Sequence, residues 1–218
     1  MRKFFLHLKN FYKEIRARLA FVGVSDFEPS TFDGLKTRKY RQRRHYLRHQ
    51  RAKARFVLGG YRDRRYDHFR RNFRSARWLK EGKSVLCVGA RFGEEVKALR
   101  DLGHSAIGVD LYPGKNNPYV IEGDASDLPF FEGKFDICFS NIFDHILEIE
   151  ASIGEIVRVL KSDGILVLHL NDQVARDFEV QSWNDPIDMA MLIGRLLNRT
   201  PLIDSRDTFI EAVFNLSP

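Results

Sequence analysis

The chain has 218 residues and 44% apolar side chains, enough to bury one α/β domain with an extension, and no stretch approaches the ~20 apolar residues of a membrane span. Its formal charge of +7 is unevenly held, because residues 1–80 carry 24 Lys/Arg against 6 Asp/Glu while the remainder carries 12 against 23. A uniformly charged surface and a cysteine-stapled scaffold are thereby excluded, and a basic arm that meets something anionic is expected in front of an acidic body.

Phe4, Leu8, Phe11, Ile15, Leu19 and Val22 recur at helical spacing among Arg2, Lys9, Lys13, Arg16 and Arg18. They predict a basic amphipathic helix that either packs on the body or a second copy, giving a homo-oligomer, or lies on an anionic membrane surface. His7, Lys9 and Lys13 interrupt the short apolar run after Met1, Arg2 and Lys3, and no small-residue cleavage site follows, so no secretory signal is read. Ser25 to Gly34 carries Pro29, Ser30, Asp33 and Gly34 without periodicity and reads as a linker. From Arg38 to Lys80 two arginine-rich helices are expected, split at Gly59-Gly60, the second with Tyr66, Phe69, Phe73 and Ala76 along one side.

After Gly82 short β-branched runs alternate with helical segments, the pattern of a parallel sheet covered on both faces. Strands are expected at Ser84 to Gly89, Ser105 to Asp110, Pro118 to Ile121, Phe135 to Ser140 and Gly164 to Leu170, with Ile210 to Leu216 closing a sheet edge. Helices are expected near Glu94 to Leu102, Ile149 to Leu160 and Met189 to Leu197, with Lys161 to Gly164 as a turn. The division that follows is a basic helical extension, 1–80, and a folded α/β domain, 81–218. Cys87 and Cys138 fall in apolar strand runs and read as buried free thiols, which suits a reducing, cytoplasmic setting, with peripheral membrane contact through the first helix as the alternative.

The chemistry-bearing residues sit at strand ends. Gly89 and Gly93 bracket a turn, Gly89-Ala90-Arg91-Phe92-Gly93, that would let backbone pass close to a ligand in front of a helix N-terminus. Asp110, seventeen residues beyond Gly93, ends the second strand at the same sheet edge, where a carboxylate can accept both hydroxyls of a ribose. An acidic turn, Glu122-Gly123-Asp124-Ala125-Ser126-Asp127, follows the third strand, and Phe135 to Ser140 ends in Asn141.

In these four motifs, taken in order, the chain resembles the class I S-adenosylmethionine-dependent methyltransferases, and most closely the type 11 methyltransferase domains, from about Ser84 to Leu170. The resemblance implies a Rossmann-like fold with a mostly parallel seven-stranded sheet and helices on both faces, preceded here by the basic helical extension. It implies S-adenosylmethionine as cofactor, with Gly89, Ala90, Arg91 and Gly93 around the methionine portion, Asp110 and Leu111 at the ribose, Asp124 and Ala125 at the adenine, and Asn141 beside the sulfonium. Two positions depart from the pattern: Arg91 stands where the family has its middle glycine, and Cys87 replaces an acidic residue two places before the first glycine. Arg91 either points outward or caps the site and meets an acidic substrate. A dinucleotide fingerprint is lacking, because the turn does not read G-x-G-x-x-G.

Methyl transfer to a hydroxyl needs alignment and removal of one proton. His145 follows the fourth strand, and a histidine can act as a base near neutral pH, so it is the expected general base, with Asp144 orienting it or the acceptor; the alternative is a histidine that only holds the loop. Asp144 with Asn171 and Asp172 also forms a pattern that resembles the magnesium site of metal-dependent O-methyltransferases, against the alternative that Asn171 or Asp172 caps a helix. For the acceptor, Phe139 to His145 resembles type 11 domains linked to glycan modification, which implies an anionic or carbohydrate acceptor such as a sugar hydroxyl of a glycan or glycolipid. An RNA methyltransferase is the alternative, its Arg38 to Lys80 arm tracking phosphates with Tyr40, Tyr46, Tyr61 and Tyr66 available for stacking. A third reading is a non-catalytic binding or scaffold protein in which Arg91 blocks the cofactor.

Overall fold

A computed structural model describes residues 27–56, 62–171, 179–206 and 209–217. The helix expected within Phe4 to Val22 therefore lies outside the described residues.

The expected linker is instead a hairpin. Strands β1 (Phe27–Phe32) and β2 (Leu35–Tyr40) pair antiparallel in the register Phe27↔Tyr40 to Phe32↔Leu35. Between them Asp33 and Gly34 take φ values of 47° and 86°, the two successive left-handed residues of a type I′ turn, which Asp-Gly favours. Arg38 to Tyr40, expected to open a helix, thus belongs to β2. Helices α1 (Arg43–Phe56) and α2 (Arg62–Arg74) follow, on either side of the expected break.

The body is a seven-stranded sheet in the order β5-β4-β3-β6-β7-β10-β9. Its strands are β3 (Ser84–Val88), β4 (Ser105–Asp110), β5 (Val120–Glu122), β6 (Phe135–Ser140), β7 (Leu160–Leu170), β9 (Leu202–Ser205) and β10 (Ile210–Asn215). The pairs from β5 to β7 are parallel, and β10 runs antiparallel between β7 and β9. β10 was expected at the edge; the edge belongs to β9, whose four residues are all exposed and carry too little apolar alternation to announce a strand. β7 begins at Leu160, so the expected Lys161 to Gly164 turn is absorbed into the strand beside a register shift opposite Phe135 and Ile137.

Helices α3 (Glu94–Asp101), α4 (Ile149–Val159) and α5 (Pro186–Leu197) complete the layers. α5 starts three residues before its expected apolar face, because Asp185 caps it by accepting from the Ile187 N–H at 2.9 Å and Pro186 occupies the first turn. Strand alternation feeds both faces of the sheet: Leu86, Val88 and Cys138 pack toward the α4 and α5 layer, whereas Val85, Cys87, Ile137 and Phe139 pack toward α2 and α3 through Phe69, Phe73, Val96 and Leu99. Both cysteines are fully buried and free. Strand β8 (Gln181–Ser182) leaves the body to pair with β2, so a three-stranded sheet, β1-β2-β8, stands beside the main one. No helix among the described residues is long and apolar enough to cross a membrane.

Candidate active site

The sheet order reverses direction at β3, which lies between β4 and β6, and a cleft of about 750 Å³ opens at the carboxyl ends of these strands. Gly89 leaves β3 with φ 80°, and a Cβ there would lie 2.2 Å from Cγ1 of Ile142, so a side chain at this position would displace the loop that follows β6. The N–H groups of Gly89 and Ala90 both donate to the Val109 carbonyl, at 2.7 and 3.1 Å, tying the turn to the end of β4. Gly89 and Arg91 line the cleft. Ala90 and Gly93 are buried instead in the seam behind it: Ala90 faces Gly108, where a Cβ would come within 2.6 Å, and Gly93, with φ 84°, precedes α3 against Tyr119.

Asp110 ends β4 in the cleft. Its Oδ2 accepts the Arg91 N–H at 3.0 Å and its Oδ1 the Tyr112 N–H at 2.8 Å, leaving a further lone pair on each oxygen. Burial pushes this carboxyl up, opposed by those two backbone donors and by the charges of Arg91 and Lys53. Leu111, Asp124 and Ala125 line the same cleft. Asp124 Oδ1 accepts from the N–H and hydroxyl of Ser126, at 3.0 and 2.9 Å, while its Oδ2 meets the guanidinium of Arg43. Asn141, although next to the strand end, does not line the cleft.

His145 lines the cleft, with Nε2 3.2 Å from Oδ2 of Asp144, which is buried just behind it. Burial raises the Asp144 carboxyl to about 7, against the opposing charge of Lys53. Burial in turn lowers the Lys53 ammonium to about 8, the charge of Asp144 opposing it. Among the described residues the atoms that could jointly hold a cation belong to Asp144, His145 and Glu179, all within 4.8 Å of one another. Lys53 already places its positive charge against both Asp144 and Glu179. A magnesium ion does not fit this arrangement well, and the expected third ligand is elsewhere: Asn171 is exposed, with its carbonyl accepting the Trp183 indole N–H at 2.8 Å, and Asp172 lies outside the described residues.

The sequence did not reveal α1 as the wall of the cleft. Arg43, Tyr46, Gln50 and Lys53 project into it at the spacing of one helical face. The Tyr46 hydroxyl donates to the His145 carbonyl at 3.1 Å, and the Tyr112 hydroxyl donates to the Leu47 carbonyl at 2.9 Å. These residues are polar, so apolar periodicity passes over them; their i, i+3, i+7, i+10 positions were the available signal.

A parallel sheet in this order with an antiparallel strand inserted next to its edge, a glycine turn after the central strand and a carboxylate ending the next is the class I methyltransferase fold. Residues 86–168 match the type 11 family model described as a methyltransferase domain. An uncharacterized methyltransferase of Synechocystis sp. is 31% identical over 101 residues, which cover 41% of this chain and 48% of that protein, so the match spans about half the length of this curated relative. The 1,6-didemethyltoxoflavin-N1-methyltransferase of Burkholderia thailandensis, solved with 1,6-didemethyltoxoflavin and S-adenosylhomocysteine, is similar in structure with a TM-score of 0.62 at 16% identity, over 88% of this chain and all of that one (100%). A putative methyltransferase of Haloferax volcanii, solved with the Trm112 activator, gives a TM-score of 0.57 at 16% identity over 73% of this chain and 92% of that one.

Proposed function

We propose that the protein is an S-adenosylmethionine-dependent methyltransferase acting on a hydroxyl, that of a sugar in a glycan or glycolipid. The observation that carries this reading is the His145 imidazole at the cleft with Asp144 3.2 Å behind it, at the end of β6. The cleft suits the nucleoside: the turn at Gly89 has no side chain, Asp110 retains lone pairs for two ribose hydroxyls, and Asp124 stands beyond it at the end of β5. The Burkholderia relative holds S-adenosylhomocysteine on the same fold.

S-adenosylmethionine, when bound, supplies a methyl carbon activated by its sulfonium. The chain's own task is to align the acceptor oxygen and take its proton. The His145 imidazole, whose Nε2 stands 3.2 Å from the Asp144 carboxylate, accepts the proton as the oxygen–carbon bond forms and the carbon–sulfur bond breaks. Asp144 then stabilises the imidazolium. Tyr46 holds the His145 carbonyl, which fixes the ring's backbone during the exchange.

The experiment is calorimetry with S-adenosylhomocysteine together with transfer of a labelled methyl group to glycans, RNA and small hydroxylated metabolites. Binding, and labelling of a glycan hydroxyl, are expected. His145→Ala should retain the nucleoside and lose at least ~10²-fold in turnover. Failure to bind the nucleoside ends the enzymatic reading and favours the scaffold.

One observation supports RNA as a second reading. Arg44, Arg48 and Arg51 are exposed on the outer face of α1 at i, i+4 and i+7, with no ion pair among the described residues. Such a stripe suits phosphates. The tyrosines do not supply the expected stacking: Tyr40 and Tyr46 are buried, Tyr66 donates to Asp101 at 2.6 Å under the Lys97 ammonium, and Tyr61 lies outside the described residues.

A further inference from the structure

We propose that Arg43, not Asp124, meets the purine base in the cleft, so that the nucleoside subsite does not demand the 6-amino group of adenine and takes a 6-oxopurine nucleoside as well. This rests on the methyltransferase reading and names the base specificity of its cofactor subsite.

Arg43, Asp124 and Glu148 all line the cleft and meet one another there. The Asp124 carboxylate is engaged on both oxygens. Its Oδ1 accepts the N–H and the hydroxyl of Ser126, at 3.0 and 2.9 Å, and its Oδ2 accepts from Nη2 of Arg43. Nε of Arg43 faces the Glu148 carboxylate at 3.9 Å, so one guanidinium lies between two carboxylates. Those carboxylates also have a task in the fold. Arg43 is the first residue of α1, where the helix dipole disfavours a cation, and the first turn carries no acidic side chain; Asp124 and Glu148 supply the missing negative charge.

An exposed ion pair alone would hold little, but α1 is fixed along its length. The Tyr46 hydroxyl donates to the His145 carbonyl at 3.1 Å, the Tyr112 hydroxyl to the Leu47 carbonyl at 2.9 Å, and the Arg91 guanidinium to the Lys53 and Ala54 carbonyls, each at 3.3 Å. Arg43 is therefore presented to the cleft by a helix tied to both its walls.

A guanidinium carries five N–H donors and no acceptor. The contacts of Arg43 use Nη2 and Nε, and Nη1 makes no hydrogen bond among the described residues. A base edge arriving here meets a donor held in place by Asp124, where the resemblance implies an acceptor. A bare carboxylate accepts the 6-amino group of adenine and repels the 6-oxygen of hypoxanthine, whereas a guanidinium N–H donates equally to that oxygen or to a ring nitrogen of adenine. The two bases are close to equal at Arg43 and far from equal at an uncovered Asp124.

Calorimetry of the full chain with S-adenosylhomocysteine and with S-inosylhomocysteine, in which hypoxanthine replaces adenine, reads the base directly. In the wild type the two affinities are expected to agree within about threefold. Arg43→Ala uncovers Oδ2 of Asp124, so the amino group gains its acceptor and the preference for S-adenosylhomocysteine should rise at least ~10-fold. Arg44→Ala removes the same charge from the outer face of α1 and should keep the wild-type ratio. Because the ratio compares two ligands on one protein, a purely structural effect of either substitution cancels from it. A wild type that prefers S-adenosylhomocysteine by more than this margin overturns the proposal and leaves the methyltransferase reading standing, and so does an Arg43→Ala ratio equal to the wild type's. Binding of neither nucleoside overturns both.

Discussion

The guanidinium of Arg91 donates to the carbonyl oxygen of Lys53 across 3.3 Å, joining the glycine turn after β3 to the last turn of α1. The same Nη2 reaches the Ala54 carbonyl at 3.3 Å, so one side chain from the turn satisfies two carbonyls at the end of the helix that walls the cleft. Arg91 keeps φ at 45°, the left-handed backbone that the family's glycine would adopt freely and that costs another residue about 1–2 kcal/mol.

Arg91→Gly should therefore leave overall stability within about 1 kcal/mol, since relief of the backbone offsets the lost hydrogen bonds. Arg91→Ala keeps the strain and loses the bonds, so it should unfold at lower denaturant. Both should weaken S-adenosylhomocysteine about tenfold by releasing α1 from the cleft. Calorimetry and urea titration of the two variants test the latch; unchanged affinity in both would show that α1 is held without it.

That latch marks where the sequence was legible and where it was not. The strands β3, β4 and β6 announced themselves because each alternates between two apolar layers or ends in a polar residue at the sheet edge, and Gly89 and Asp110 were readable as the turn and strand end of the cleft. Arg91 was legible as a departure from a glycine, but its partners on α1 were not, because hydrogen bonds to carbonyls leave no pattern in residue types. Lys53 and Glu179 were missed for a related reason: each is a lone charged residue whose meaning comes from a fold-level neighbour, Asp144, that is far away in the chain. The β1-β2 hairpin, in contrast, carried its signal openly in Asp33-Gly34, and the arginines that follow drew the reading toward helix too early.

Asp110 is bound to the N–H groups of both Arg91 and Tyr112, so its removal acts twice. Asp110→Ala should abolish measurable nucleoside binding and also loosen the turn, whereas Asp110→Asn keeps one acceptor oxygen and should cost at least tenfold in affinity. Calorimetry with S-adenosylhomocysteine gives the comparison, and wild-type affinity in Asp110→Asn would remove the ribose role.

Lys53 and Asp144 set each other's protonation. Burial raises the Asp144 carboxyl to about 7, and Lys53 is the leading charge that opposes the rise. Lys53→Met takes that cation away, so Asp144 should titrate at higher pH than in the wild type, and Asp144→Asn should lower the Lys53 ammonium further. Carbon-detected NMR of the aspartate carboxyls reads the first shift directly. With an acceptor in hand, the acid limb of turnover in Lys53→Met should move to higher pH, because a protonated Asp144 no longer stabilises the imidazolium; an unmoved limb would detach Asp144 from the base.

Glu95 gives a stability prediction independent of any substrate. It lies in the first turn of α3, 1% exposed, and its Oε2 has no hydrogen-bond partner among the described residues. Burial pushes its carboxyl from 4.5 up to about 8, with the Arg65 charge opposing. A folded-state value above the unfolded one means that, between these limits, the folded chain keeps a proton that the unfolded chain releases, so the contribution to stability falls as pH rises and is smallest above 8. Glu95→Gln has nearly the same shape and no proton to hold. It should therefore flatten the pH dependence and exceed the wild type at pH 8 by up to a few kcal/mol, roughly 1.4 kcal/mol per unit of raised pKa before relaxation. Urea unfolding at pH 5 and pH 8 measures both slopes; a difference between variant and wild type that does not grow from pH 5 to pH 8 would mean that Glu95 is ionised in the folded protein, its charge held by Arg65.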